Sequence, residues 1–206
     1  MIKSIVKKGD MCLDIGANIG YFTVLMAKLG GFVYAFEPEP DNYKILVSNI
    51  VTNGVQDSTH PLMLAIGDYD EVIDMYLCPD NPGMHRLYKS QWCNRTIPVK
   101  MVDIDTEFPG IEPDFIKIDV EGFELHAING MSQMLKKHHP TVIMEYHPPS
   151  ILECGDNPED IYKSMLNLGY KITYIGKKNV KIESYSQLLQ LTNKPSGGEN
   201  LLCEYD

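Results

Sequence analysis

Hydrophobic and polar positions in the N-terminal part of the chain switch repeatedly between two periods. Met11 to Ile15 (MCLDI) is an apolar run of strand length, and Tyr21 to Gly30 (YFTVLMAKLG) has helical spacing up to a glycine stop. Phe32 to Glu37 (FVYAFE) reads as a second strand. Pro40 and Asp41 then open a helix with Ile45, Leu46, Asn49 and Ile50 at helical spacing, ending near Asn53 and Gly54. His60 to Asp68 (HPLMLAIGD) follows as a third strand. This order predicts a parallel sheet with helices packed on it.

The middle of the chain loses that regularity. Val72 to Leu77 alternates like a half-exposed strand, and Pro79 to Arg95 has no period, which predicts a long loop of the kind that often carries function. Alternation resumes with strands at Ile97 to Val102, Asp114 to Asp119 and Thr141 to Tyr146, and with a helix from about Glu121 to Lys137. A helix at Asn157 to Leu168, a strand at Lys171 to Ile175, a short helix at Ser186 to Leu191 and a strand at Asn200 to Tyr205 complete the pattern. The reading is an α/β, open doubly wound sheet forming a single domain over residues 1–206. Ligands of such sheets bind beyond the carboxyl ends of the strands, at the switch point beside the first one.

Composition narrows the partners. The chain has 206 residues, 18 Lys and Arg against 28 Asp and Glu, and a formal net charge of -10, a balance that disfavours binding to a phosphate backbone and argues against nucleic acid. Cys12, Cys78, Cys93, Cys154 and Cys203 are odd in number and never form C-x-x-C, so reduced thiols are expected rather than a disulfide framework. Neither a signal-peptide pattern nor an apolar run of membrane-spanning length is visible, which by default places the chain in the cytoplasm.

Candidate chemistry begins at LDIGANIGYF, Leu13 to Phe22. Asp14-Ile15-Gly16-Ala17-Asn18-Ile19-Gly20 falls where the first strand turns into the first helix, and Gly16 and Gly20 let a ligand lie against the main chain. Neither G-x-G-x-x-G nor a P-loop fits this spacing. Asp14 would repel a pyrophosphate and suits a cofactor bearing positive charge. Glu37 ends the second strand, where a carboxylate accepts hydrogen bonds from both ribose hydroxyls of an adenosine. An adenosine without phosphates, held near acids, points to S-adenosylmethionine.

Taken in order, LDIGANIGYF, FEPEPDNYKILVSNI, AIGD (Ala65 to Asp68), IKIDVEGFE (Ile116 to Glu124) and IMEYHP (Ile143 to Pro148) resemble the FkbM family of class I S-adenosylmethionine-dependent methyltransferases. The resemblance covers about Gly9 to Pro148, and D-V-E-G-x-E is its most specific segment. It implies a Rossmann-like fold with a mostly parallel seven-stranded sheet and one antiparallel edge strand. It also implies methyl transfer to a hydroxyl of a sugar, glycan or related metabolite, with Asp14, Gly16, Ala17, Asn18, Gly20 and Glu37 holding the cofactor and Ala65 near the adenine. Family members usually carry a helical stretch before the first strand, whereas here Gly9 and Asp10 open it. A domain of a larger glycan-building protein is therefore expected, with a glycosyltransferase partner as in chlorovirus-like enzymes.

The transfer needs alignment of donor and acceptor and a base for the hydroxyl proton. Asp119 ends the fourth strand nearest the transferred group and is expected to touch both cofactor and acceptor, with Glu121 and His147 as further catalytic candidates. Glu124 reads as a helix-start acid. Glu145 stands on the same edge as a substrate contact, and in the long loop Trp92 can stack on a sugar while His85 and Arg86 donate to its oxygens. No metal centre is expected: Asp103 and Asp105 most simply begin a helix, and His138 and His139 cap one. The competing readings are a nucleotide-dependent Rossmann oxidoreductase, disfavoured by the missing glycine motif, and a non-catalytic module that binds S-adenosylmethionine.

Overall fold

The computed structural model describes residues 1–78, 82–91, 93–192 and 198–205. A short helix α1 (Ile2–Ile5) precedes β1 (Met11–Ile15), α2 (Tyr21–Lys28), β2 (Phe32–Phe36), α3 (Pro40–Thr52), β3 (Thr59–Leu62) and β4 (Ala65–Ile66). Then come β5 (Glu71–Leu77), β6 (Arg95–Val102), α4 (Ile104–Glu107), β7 (Phe115–Ile118), α5 (Glu124–Asn129), α6 (Ser132–His138) and β8 (Thr141–Tyr146). The chain continues through α7 (Pro148–Cys154), α8 (Pro158–Asn167), β9 (Tyr170–Ile175), β10 (Val180–Lys181), α9 (Tyr185–Thr192) and β11 (Glu199–Tyr205).

The main sheet has eight strands in the order β10-β9-β11-β8-β7-β1-β2-β3. Strands β8, β7, β1, β2 and β3 are parallel, while β11 runs antiparallel to both β8 and β9. The doubly wound expectation stands, with two corrections: the sheet gains β10, and β11 lies between two strands instead of at an edge. The hairpin return of β10 onto β9, Val180 opposite Tyr174, is too short to leave a pattern in the sequence. A second sheet, β4-β6-β5, splits the predicted third strand. Residues 59–62 stay beside β2, while Ala65 and Ile66 pair with Met101 and Val102.

Local chemistry explains the boundaries. Glu39 caps α3 by accepting from the Asn42 N–H at 2.6 Å, and Asn157 caps α8 by accepting from Glu159 N–H at 3.1 Å, each ahead of a proline at the first helical position. Asp103 caps α4 in the same way, and the Asp105 carboxylate accepts from Gln133 and Met134 N–H at the start of α6. The predicted helix from Glu121 breaks at Gly130 and Met131 into α5 and α6. Pro148 and Pro149 begin α7, which ends at Gly155 with φ 103°.

Burial on both faces follows from the parallel strands. Leu13, Ile15, Ile116, Ile118 and Met144 join one core cluster, while their alternating neighbours Cys12, Phe115 and Ile143 join the other, beneath α2. Asp14, Lys117 and Glu145 belong by the period of two to this second face. Cys78 and Cys93 form a disulfide, which corrects the expectation of reduced thiols for that pair; Cys12, Cys154 and Cys203 are free. The pairing follows from topology, since antiparallel β5 and β6 place Leu77 opposite Arg95 and so bring the two ends of the long loop together. No helix among the described residues is long and apolar enough to cross a membrane.

Where the carboxyl ends of β1 and β7 meet, backbone passes directly over backbone. Gly16 has φ 79°, and a methyl group there would overlap the Asp119 carbonyl. Gly16→Ala is therefore expected to cost about 2–4 kcal/mol, against about 1 kcal/mol for Gly54→Ala, whose φ is 65° with open space around it. Denaturant unfolding of both variants checks this.

Candidate functional site

The turn between β1 and α2 is held from two sides. Gly16 and Ala17 N–H both donate to the Phe36 carbonyl, at 3.0 and 2.9 Å, tying the turn to the end of β2. Asn18 adopts a left-handed conformation, φ 51°, and its own Oδ1 accepts from Ile19 N–H at 2.7 Å, the local bond that makes this residue tolerate that region. Glu37 completes the frame: Oε2 accepts from Asn18 N–H at 2.8 Å and Oε1 from Glu39 N–H at 2.9 Å. Each oxygen keeps a second lone pair, so the carboxylate can hold the turn and accept from a diol at once. Gly20, φ 89°, starts α2 and lets Leu46 of α3 pack against it.

Gly16, Asn18, Glu37, His85, Asp119 and Glu121 line one cleft at the switch point. The first three come from the β1–α2 turn and the residue after β2, the acids from just beyond β7, and His85 from the long loop that faces them. His85 Nδ1 accepts from Cys78 N–H at 3.1 Å, which leaves Nε2 as the nitrogen that carries the proton. Trp92 lies outside the described residues.

Beneath the cleft is a concentration of buried charge. Asp14 is 1% exposed and accepts from the Thr23 hydroxyl at 2.5 Å, and burial pushes its carboxyl up to about 6. Lys117, its cross-strand neighbour, is 2% exposed. Its ammonium sits 2.9 Å from Asp119 Oδ2, donates to the Ile118 carbonyl at 3.2 Å and lies 5.3 Å from the Phe22 ring centre. Sequence reasoning passed over this lysine, although a lone cation inside the apolar run FIKI was a visible signal.

Asp119, Glu121 and Glu145 bring carboxylate oxygens within 4.8 Å of one another. Burial and then the Asp119 charge push Glu121 up to about 7, and the same causes hold Glu145 well above the ordinary carboxylate range. Glu121 reaches this position through a left-handed backbone, φ 55°, held by a bond from the Tyr88 hydroxyl to its carbonyl at 2.8 Å. The next residue, Gly122, admits no side chain because Ser150 O and the Tyr88 hydroxyl lie against it. Glu124 is fully buried and accepts from Gly122 N–H at 3.1 Å, so it shapes this turn from within and starts α5, as a helix-start acid should.

Other sequence candidates stand apart from the cleft. Ala17 packs into the core beneath the turn, and Ala65 packs with Met75, Val99 and Met101 in the small sheet. Arg86 is 3% exposed and engages Glu153, Ser90 and Ser150, so it anchors the loop to α7 instead of presenting donors to an acceptor. His147 precedes α7 with Nδ1 2.7 Å from Ser150 Oγ, and burial followed by the Arg86 charge lowers its pKa, keeping it neutral at pH 7. Both residues reach the same serine and belong to the scaffold of the loop.

Comparison with known proteins places the chain in a family context. The model of the family described as Methyltransferase FkbM domain matches residues 14–172. The hexuronic acid methyltransferase AglP of Haloferax volcanii is 27% identical over 175 residues, covering 83% of this chain and 68% of that protein. A solved methyltransferase FkbM from Methylobacillus flagellatus superposes with a TM-score of 0.62 at 16% identity, covering 96% of this chain and 44% of the other, so this chain spans less than half of that structure. An S-adenosylmethionine-dependent O-methyltransferase of Thermotoga maritima gives 0.53 at 12% identity, covering 99% of this chain and 62% of the other. These solved structures establish the shared Rossmann-like fold.

The raised carboxyls predict a pH dependence of stability. A carboxyl whose folded pKa lies above its unfolded value binds protons more tightly when folded, so its contribution is complete below the unfolded pKa and disappears as pH rises through the folded one. Asp14 at about 6, Glu37 at about 7 and Glu124 at about 7 all act in that direction. The melting temperature is expected to fall between pH 5 and pH 8, and Glu37→Gln is expected to flatten that fall. Thermal unfolding across this range measures it.

Proposed function

Because this chain belongs to the FkbM family of methyltransferases, we propose that it transfers the methyl group of S-adenosylmethionine to a hydroxyl oxygen of a sugar or glycan. The observation carrying this reading is the convergence of Asp119, Glu121 and Glu145 beside the turn framed by Glu37. The donor set fits the cofactor. Glu37 keeps free lone pairs for a ribose diol, Gly16 and Asn18 offer main chain along the cleft, and the surrounding acids suit a positive sulfonium. Bound there, S-adenosylmethionine supplies an electrophilic methyl group.

The residues of the chain then have to hold the acceptor and take its proton. Glu121 is the base in this reading, since a carboxyl poised near pH 7 combines a populated anion with real proton affinity. Asp119 is kept in place by the Lys117 ammonium and accepts from an acceptor hydroxyl, while Glu145 stays protonated at neutral pH and donates. Across the cleft, His85 Nε2–H offers a second donor to a sugar oxygen.

Charge also selects the acceptor. A pocket with this many acids repels an anionic sugar and welcomes hydroxyl donors, so a neutral sugar fits better than a uronate. The hexuronic acid specificity in the name of AglP thus supports a sugar acceptor without extending to its carboxylate. The proposal also includes a single methyltransferase domain working with a glycosyltransferase as the class of enzyme that builds its acceptor.

The test is incubation of the protein and S-adenosylmethionine with neutral sugars and their uronic acids, read by mass spectrometry for a gained methyl group. Methylation of neutral sugars is expected, with kcat/KM rising between pH 6 and pH 8 as Glu121 loses its proton near pH 7. Glu121→Gln is expected to lower the rate about 10²–10⁴-fold and to remove that limb of the profile. Methylation confined to carboxylates, or an unchanged profile in Glu121→Gln, would contradict the assignment.

A further inference from the structure

Outside the cleft, α5, the end of α7 and the turn after β4 bring unlike donors together. The ring of His126, the thiol of Cys154 and the carboxylate of Asp156 each offer an atom, and these atoms lie within 4.8 Å of one another. His126 Nε2 is 3.3 Å from Asp156 Oδ2, close to the separation of about 3.3–3.8 Å expected between ligands of a tetrahedral ion with bonds of about 2.0–2.3 Å. The opposite ring nitrogen, Nδ1, lies 3.1 Å from Asp68 Oδ2 and 3.2 Å from Oδ1. Phe123 stacks on the ring, centroids 4.2 Å apart, and fixes its plane.

The hydrogen bonding explains why a cation belongs here. If Nδ1–H donates to Asp68, the remaining lone pair of a neutral His126 is on Nε2 and points toward Asp156 and Cys154. Asp156 Oδ2 is itself buried and lacks a hydrogen-bond partner among the described residues. An imidazole lone pair and a buried carboxylate oxygen facing each other repel unless a cation or a proton stands between them. A carboxylate behind one imidazole nitrogen and a metal on the other is the arrangement that orients ligating histidines.

We propose that His126, Cys154 and Asp156 bind a zinc ion, with Asp68 as the outer partner that orients His126. The nitrogen, sulfur and oxygen set matches zinc, whereas magnesium and calcium take oxygen ligands. Binding replaces the S–H bond of Cys154 with a sulfur–zinc bond and releases the thiol proton to solvent. Water completes the four-coordinate shell. The ion ties the turn after β4 and the connection between α7 and α8 to the first turns of α5. Glu124 and Phe123 lie in that same segment, so zinc supports the turn carrying Asp119 and Glu121 from behind, without touching the reacting groups. Metal binding at this site does not depend on methyl transfer in the cleft.

The full chain, stripped with a chelator, is titrated with cobalt(II) as a spectroscopic substitute for zinc. One equivalent is expected to produce a thiolate-to-cobalt charge-transfer band with the visible bands of tetrahedral cobalt, both abolished by added zinc. Cys154→Ala and His126→Gln are each expected to lose the charge-transfer spectrum while far-ultraviolet circular dichroism remains folded. Asp68→Asn is expected to keep the spectrum but weaken zinc binding about 10–100-fold. If the wild-type protein gives no charge-transfer band, or if the band survives in Cys154→Ala, the proposal is overturned. Cobalt binding that is lost in Asp119→Asn and retained in His126→Gln would also overturn it, by placing the ion in the cleft.

Discussion

The Lys117 ammonium is the interaction on which the site depends. Asp14, Asp119, Glu121 and Glu145 stand around it, and its charge acts to lower the pKa of Asp14, Glu121 and Glu145 against the burial that raises them. Without a cation this group of acids would take up protons or push apart. With it, Asp119 stays beside its partner, Glu121 remains poised to exchange a proton near neutrality and Glu145 keeps its own. A buried ion pair of this kind adds little net stability once desolvation is counted, so its role is arrangement more than cohesion.

The second constraint is spatial. The glycines of the β1–α2 turn suggested a ligand lying against the main chain, but the first neighbours to approach belong to the protein: the Asp119 carbonyl at Gly16 and Leu46 at Gly20. Close passage of the two strand ends is what sets the acids of β7 beside the frame made by Glu37 and Asn18. One glycine therefore serves packing and site construction together.

Much of this was legible in the chain because it is local. MCLDI and TVIMEY became strands at the expected residues, and the caps at Asp103 and Asn157 formed where short polar side chains precede helical runs. Asn18 was readable from the glycine turn after β1, and Glu37, Asp119 and Glu121 from their places at or just past strand ends; all four line one cleft. What stayed hidden depends on contacts distant in sequence. The second sheet divides what looked like one strand, because Ala65 and Ile66 find partners in Met101 and Val102 far along the chain. The Cys78–Cys93 bond and the burial of Arg86 against Glu153 likewise require knowing how the long loop folds back on β5 and α7. Lys117 is the instructive omission: a charge inside an apolar strand went unremarked, when its cost marks it as paired.

The central claim is that the Glu37 frame and the acids at the ends of β7 and β8 form one site for a sulfonium cofactor of adenosine. Its most direct test is calorimetric titration with S-adenosylhomocysteine, with NAD as competitor and Glu37→Ala as control. Saturable one-to-one binding that NAD does not displace and Glu37→Ala removes is the predicted result. Absence of binding, or a preference for NAD, would contradict it.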